Sequence, residues 1–380
     1  MSDPLDILML SIEYPPVGGG ASPLTRGLAR GLAQRGHRVD VITMRQGRLA
    51  AEENDGAVRV FRVASLRARP ERSRLHELAA YAIAATIRAR GLIARRRYDV
   101  CHVQFVLPTG CVAYALRRHP NFPPYVITAH GTDVPGHNPH RFTGLHRFSP
   151  PIIRPILRGA AGLIVPSEAL GQLVRNRFGE VVPPLIPIPS AVDAERFGER
   201  PKEARALVAT RLNQGKGVHH VIEAMAALRE HGYELDVAGE GPERSGLERL
   251  ARERKVTASF HGWLPRASVD TLYERSGIFV LASAAENFPV SLLEAMAARC
   301  AVVATRVGGI PEVVGDTALL VEPNSGGALV EALRALMLNP AMARELGERA
   351  ARRVRDRFGW SEAVLAHEAV YRAALARAGR

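Results

Sequence analysis

Short apolar runs alternate with longer amphipathic ones along most of the chain. In the first half the runs "DILMLSIEY", "RVDVITM", "DVCHVQF", "YVITAHG" and "GLIVPSE" are brief, and several are rich in β-branched residues. Runs of this kind read as strands buried on both faces. Between them lie segments of helical period: "LTRGLARGLAQRG" has Leu24, Leu28 and Leu32 on one stripe, and "LHELAAYAIAATIRARGLI" has Leu75, Leu78, Ala79, Ala82 and Ile83 on one face. Strands interleaved with helices predict a parallel sheet covered on both sides. The alternation stops at "VVPPLIPIPSAVDAERFGERPKEA", whose five prolines between Pro183 and Pro201 predict a linker. It then restarts with "ALVATR", "ELDVAGEG", "ASFHGW", "GIFVLAS", "AVVATRVGG" and "TALLVEP" as strands. The pattern predicts two doubly wound α/β domains facing a cleft, over 1–190 and 191–355, with a closing segment 356–380. That segment, "WSEAVLAHEAVYRAALARA", is an amphipathic helix with no strand after it, so it must dock elsewhere.

At 380 residues, two domains fit better than one core. Composition is ordinary for a globular enzyme, at 47% hydrophobic and 23% charged. No apolar run approaches the 18 residues of a bilayer span, and the N-terminus lacks a basic leader. Cys101, Cys111 and Cys300 have no metal-ligand spacing and suit a reducing, cytoplasmic setting. The net charge of +13 is concentrated: residues 1–195 hold 25 arginines against 15 acids, and ten of those arginines lie between Arg62 and Arg97. A basic first half suits an anionic surface such as the inner face of a plasma membrane, or is simply a solvated arginine-rich surface. RNA is disfavoured, since no aromatic residues interleave with the arginines for stacking.

Open α/β sheets bind ligands beyond the carboxyl ends of their strands, so the loops there are the places to look for chemistry. "YPPVGGGAS" carries Gly18, Gly19 and Gly20 ahead of a helix, and "GEGPER" carries Gly239 and Gly241; neither has the spacing of a dinucleotide fingerprint. "ITAHGTDV" ends a strand with His130, placed to donate to a substrate hydroxyl or move a proton. "ATRLNQGKGVHHVIEAM" puts Arg211 and Lys216 beside a helix N-terminus, a cationic site for a diphosphate. "AENFPVSLLEAMA" places Glu286 before a helix beginning near Pro289 and Glu294 about one turn inside it. A hydrolase pair would need its carboxyls roughly 5–5.5 Å apart, which spacing alone does not give, and no His or further acid clusters nearby to hold a metal. Hydroxyl recognition accounts for both acids, with the amides of Val290 and Ser291 meeting a phosphate between them.

The chain resembles the retaining glycosyltransferases of family 4, with their GT-B fold. The residues that carry the resemblance are "ENFPVSLLEAMA" and "AVVATRVGGIPEVV", with "TRLNQGKG", "AGEGPE", "TAHGTD", "VPSEA" and "YPPVGGGAS" in the right order over nearly the whole chain. The resemblance implies transfer of a sugar from a nucleoside diphosphate donor, UDP- or GDP-linked, to a sugar or lipid-linked hydroxyl, with no metal or other cofactor. It implies that Arg211 and Lys216 hold the diphosphate, that Glu286 binds the sugar and Glu294 the ribose, and that His130 contacts the sugar near its reacting carbon. Gly19 and Gly20 would close over the donor, Gly239 and Gly241 and the stretch Asn287, Phe288, Pro289, Val290 and Ser291 would line it, and the final helix would return to the N-terminal domain. Thr210, Ser190 and Ala191 depart from the usual pattern without removing a charge. A sugar-nucleotide epimerase or hydrolase, or a non-catalytic sugar-nucleotide-binding protein, are the alternative readings.

Overall fold

A computed structural model describes residues 3–69, 73–137 and 148–379; Arg72, one of the clustered arginines, lies outside the described residues. The chain divides into two compact units, one formed by Met1–Ser190 with Trp360–Arg380, the other by Ala191–Gly359.

The first unit runs β1 (Asp6–Leu10), α1 (Ala21–Gln34), β2 (Arg38–Gln46), β3 (Glu52–Asp55), β4 (Val58–Arg67), α2 (Leu75–Arg95), β5 (Val100–Gln104) and α3 (Thr109–Leu116). It continues through β6 (Tyr125–Thr128), α4 (Pro150–Arg158), β7 (Gly162–Val165), α5 (Glu168–Phe178) and β8 (Leu185–Pro187). The sheet order is β3-β4-β2-β1-β5-β6-β7-β8, parallel except for the β3–β4 hairpin. Side-chain alternation divides β1 between two cores: Leu8 and Leu10 enter one, Ile7 and Met9 the other.

The second unit runs β9 (Glu203–Ala209), α6 (Val218–Ala227), β10 (Glu234–Ala238), α7 (Arg244–Glu253), β11 (Ala258–Gly262), α8 (Arg266–Arg275) and β12 (Ser276–Leu281). Then come α9 (Val290–Ala297), β13 (Ala301–Thr305), α10 (Ile310–Val314), β14 (Leu319–Val321), α11 (Gly326–Leu338) and α12 (Pro340–Arg357). Its order β11-β10-β9-β12-β13-β14 is wholly parallel. Every strand therefore delivers its following loop to one edge. In each unit the winding direction reverses beside the first strand, between β1 and β5 and between β9 and β12. The loops diverge there and leave room for a ligand.

The closing helix α13 (Trp360–Arg377) belongs to the first unit. It lies so close to α1 that a Cβ on Gly27 would fall 2.1 Å from the Trp360 ring, and one on Gly31 2.5 Å from Val364. Tyr371, Val370 and Ala374 fill the core it covers.

Three features differ from the sequence pattern. The β3–β4 hairpin is absent from it, because charged residues interrupt the alternation of "VRVFRVASLR". In the structure Arg59 meets Asp40 on β2, and buried Arg62 meets Glu53 on β3 at 2.6 Å. Strand β8 lies inside the proline-rich stretch read as linker, paired with β7. On α2 the buried stripe is Tyr81, Ala85, Ala89 and Ile93, whereas Leu75 and Ile83 are 55% and 65% exposed. That helix is apolar on more than one side, so periodicity alone could not choose its inner face. Among the described residues no helix is long and apolar enough to cross a membrane.

Candidate active site

In the second unit the loops after β9 and β12, neighbours at the reversal of winding, bring Lys216 and Glu286 together. Lys216 Nζ donates to Glu286 Oε1 at 2.5 Å, and Ser283 Oγ donates to the same oxygen at 2.8 Å. Ser283 is itself held, since Thr305 Oγ1 at the end of β13 donates to its carbonyl at 2.6 Å. The loops interlock through backbone: Ala284 N donates to Gly215 O at 2.9 Å. Two glycines permit this approach. Gly217 (φ +63°) and Gly308 (φ +53°) lie in the left-handed region, and a Cβ would fall 2.1 Å from Ala282 O and 1.7 Å from Glu286 O respectively. Glu286 is thus a carboxylate in a fixed loop, its side chain 11% exposed.

Helix α9 begins at Val290 with Pro289 as its N-cap, as the spacing predicts. Val290 and Ser291 are its first two residues, where backbone N–H groups have no intrahelical acceptor. Asn287, Phe288 and Pro289 are buried, and the Phe288 ring packs edge-on against Phe358 at 5.6 Å; they shape the turn from inside. Gly239 and Gly241 lie against the backbone of Thr210 and Leu212, and Leu212 N donates to Glu240 O at 2.9 Å. Arg211 stands in this same loop, partly buried.

Glu294 is placed differently from an open hydroxyl-binding acid. Its side chain is 5% exposed, ion-paired to Arg266 at the start of α8 and 3.7 Å from Arg196. Arg266 is itself 42% exposed, so Glu294 is held in an ion pair with the start of α8 rather than standing open. Nothing local in the chain signals this pairing, because Arg266 and Arg196 are 28 and 98 residues away from Glu294.

In the first unit, Gly19 N donates to Glu13 Oε2 at 2.9 Å, and Gly20 is the N-cap of α1. Buried Arg62 donates to Pro15 O at 2.5 Å, tying down the same loop. His130 follows β6. Its backbone N–H donates to Asp133 Oδ1 at 2.9 Å, and its ring lies 4.3 Å from that of Phe105. Its Nε2 meets Gln104 Oε1 at 2.7 Å. Burial, with a smaller push from His367, lowers its pKa to about 4, so the ring is neutral near pH 7. Burial raises Asp133 to about 6, against the backbone N–H groups of Val106, His130 and Gly131 that favour its charge.

Two family models match the chain: "Glycosyltransferase Family 4" over residues 18–196 and "Glycosyl transferases group 1" over residues 191–353. A glycogen synthase of Mycobacterium tuberculosis is 31% identical over 97% of this chain and 94% of its own. The structure of a sucrose-phosphate synthase from Thermosynechococcus elongatus superposes with a TM-score of 0.85 at 24% identity, over 98% of this chain and 99% of that one. HepE of Anabaena in complex with UDP-glucose superposes with a TM-score of 0.72 at 17% identity, over 96% and 99%. A match across essentially the full length of a curated enzyme, on two parallel-sheet Rossmann-like units, carries the assignment: the chain belongs to the glycosyltransferases of the GT-B fold.

Proposed function

We propose that the protein is a retaining, metal-independent member of family 4 that transfers a hexose from a UDP- or GDP-sugar to a hydroxyl in glycolipid, polysaccharide or other glycoconjugate synthesis. The observation that supports this most is the Lys216–Glu286 pair at the reversal of winding, beside the open amides of α9. A donor diphosphate would draw Lys216 away from Glu286 and, with Arg211 and the amides of Val290 and Ser291, be neutralised there. Each charge-assisted contact contributes about 1.5–3 kcal/mol. Glu286, released from the lysine, would accept hydrogen bonds from the sugar hydroxyls. Breakage of the bond from anomeric carbon to phosphate places charge on the leaving oxygen, which these fixed donors stabilise. The acceptor oxygen then forms its bond on the same face and passes its proton to the departing phosphate. His130 would contact the sugar without serving as the base.

A panel of UDP-, GDP- and ADP-sugars tests the donor: at a hundredfold excess over Kd, binding stabilises by about 2.7 kcal/mol. Nucleoside diphosphate release that requires an acceptor supports transfer. Equal release without one favours a hydrolase or epimerase, and binding without turnover a non-catalytic protein. An inverted anomeric centre in the product would defeat the retaining assignment.

A lipid-linked acceptor at an anionic, cytoplasmic leaflet is supported by the outer face of α2. Ile83 and Ile87 are 65% and 70% exposed there, with Leu75 at 55%, and Arg74 and Arg90 are exposed beside them. Apolar groups flanked by cations suit an anionic lipid surface.

A further inference from the structure

Behind His130 runs a chain of buried polar side chains that the donor chemistry leaves unexplained. Period-two alternation puts His102 and Gln104 of β5 on the sheet face that α13 covers, next to Thr128 of β6, which pairs with Gln104 in register. His102 and Tyr371 are fully buried. Tyr371 Oη lies 2.7 Å from His102 Nδ1. His102 Nε2 lies 2.8 Å from Thr128 Oγ1 and 3.3 Å from Gln104 Nε2. Gln104 Oε1 lies 2.7 Å from His130 Nε2.

The amide of Gln104 couples the two imidazoles. Its carbonyl requires an N–H and its NH2 group requires a lone pair, so the two rings cannot both present a proton to it. With Oε1 facing His130, His130 carries its proton on Nε2. Gln104 Nε2–H then donates to the lone pair on His102 Nε2, which leaves the His102 proton on Nδ1, donating to Tyr371 Oη. Thr128 Oγ1 donates to the same His102 lone pair. The direction is consistent from one end to the other. Among the described residues the remaining nitrogen of His130, Nδ1, has no protein partner, and it is an acceptor.

We propose that Gln104, His102 and Tyr371 are positioning residues that hold His130 in its Nε2–H tautomer, so that Nδ1 accepts a hydrogen bond from a hydroxyl of the transferred sugar. This rests on the reading above, in which His130 contacts that sugar. The last link comes from the C-terminal helix, 241 positions further along the chain than His130. The arrangement therefore gives α13 a part in the site beyond covering the core.

Two-bond 1H–15N correlation on the full-length protein labelled with 15N-histidine reads the tautomer without any substrate. The native protein shows His130 protonated on Nε2. Tyr371→Phe keeps the ring and removes the oxygen that accepts from His102 Nδ1. The His102 proton then shifts to Nε2, the Gln104 amide reverses, and His130 gains Nδ1–H population. In Gln104→Met the link is cut, and adding Tyr371→Phe produces no further change at His130. An unchanged His130 pattern in Tyr371→Phe, or the same change with and without Gln104, overturns the proposal. With UDP-glucose, GDP-mannose and ADP-glucose each tried as donor, Tyr371→Phe lowers turnover about 2- to 10-fold, the worth of one hydrogen bond. It adds nothing in a His130→Ala background, and an equal loss there also overturns the proposal. Unchanged turnover in His130→Ala removes the sugar contact itself, a failure the tautomer measurement tells apart.

Discussion

In the proposed donor site, Lys216 and Glu286 hold one another. Each neutralises the other at 2.5 Å, so neither charge is left without a partner, and an anion that takes the lysine frees the acid at the same time. Lys216→Ala and Arg211→Ala should each lower kcat/KM about 10- to 100-fold, the worth of one charge-assisted contact, with thermal unfolding little changed. Equal kinetics in either variant would remove that residue from the donor site. Gly308 carries a different load. An added methyl would meet Glu286 O at 1.7 Å with φ at +53°, so Gly308→Ala should cost about 1–3 kcal/mol of stability and distort the Glu286 loop. A variant as stable and active as the parent would show that the loop is not so constrained. Lys216 and Glu286 were legible individually from their loops, but not their mutual pairing, nor Ser283, Thr305 and Arg266 around them. Ser283 is three positions from Glu286, but the other contacts join residues 22 to 70 positions apart in the chain.

At the level of elements, β5, β6 and α13 enclose His102, His130 and His367. Burial lowers His130 and His367 to about 4 and His102 well below its ordinary value. The unfolded chain, with histidines near 6.5, binds more protons than the folded one as pH falls from about 6.5 to 4. Stability is therefore complete above that window and lost through it. Asp133, raised to about 6, opposes this with one proton against three. Asp6 and Asp55, whose pKa values are lowered by their arginine partners against the cost of burial, contribute only at lower pH. Calorimetry from pH 7.5 to 4.5 should show the melting temperature of the first unit falling, by about 2–4 °C per kcal/mol; a flat profile would contradict the buried neutral histidines. The α1–α13 contact is equally specific. Gly27→Val would drive a side chain into the Trp360 ring and should separate the two helices, read as faster hydrogen exchange over residues 360–377.

For the molecule as a whole, the first unit is not made of one continuous stretch, because its core is completed by the closing segment Trp360–Arg380. Removal of residues 360–380 should uncover Tyr371's partners and the apolar side of α1. Each large side chain lost from such a core costs about 1.5–3 kcal/mol, so the truncated chain should melt lower and bind a hydrophobic dye. Identical melting would mean that α13 only rests on the surface. The exposed stripe on α2 belongs to the same scale. Flotation with anionic vesicles should exceed that with neutral ones and fall in Ile83→Glu/Ile87→Glu; equal recovery from both vesicle types would remove the lipid surface from the reading.

Sequence pattern alone was enough to read the two parallel-sheet units, the strands that lead into the loops of the candidate site, and the start of α9 after Pro289. Each of these depends on local periodicity or turn chemistry, which neighbouring residues carry within a few positions. It also marked His130, Lys216 and Glu286, since unusual residues at the carboxyl ends of apolar strands stand out from a repeating background. The inner face of α2, the arginine paired with Glu294, and the path from Tyr371 to His130 through His102 and Gln104 became visible with the folded chain. Packing across strands and helices sets these, bringing together residues whose separation along the chain carries no trace of their meeting.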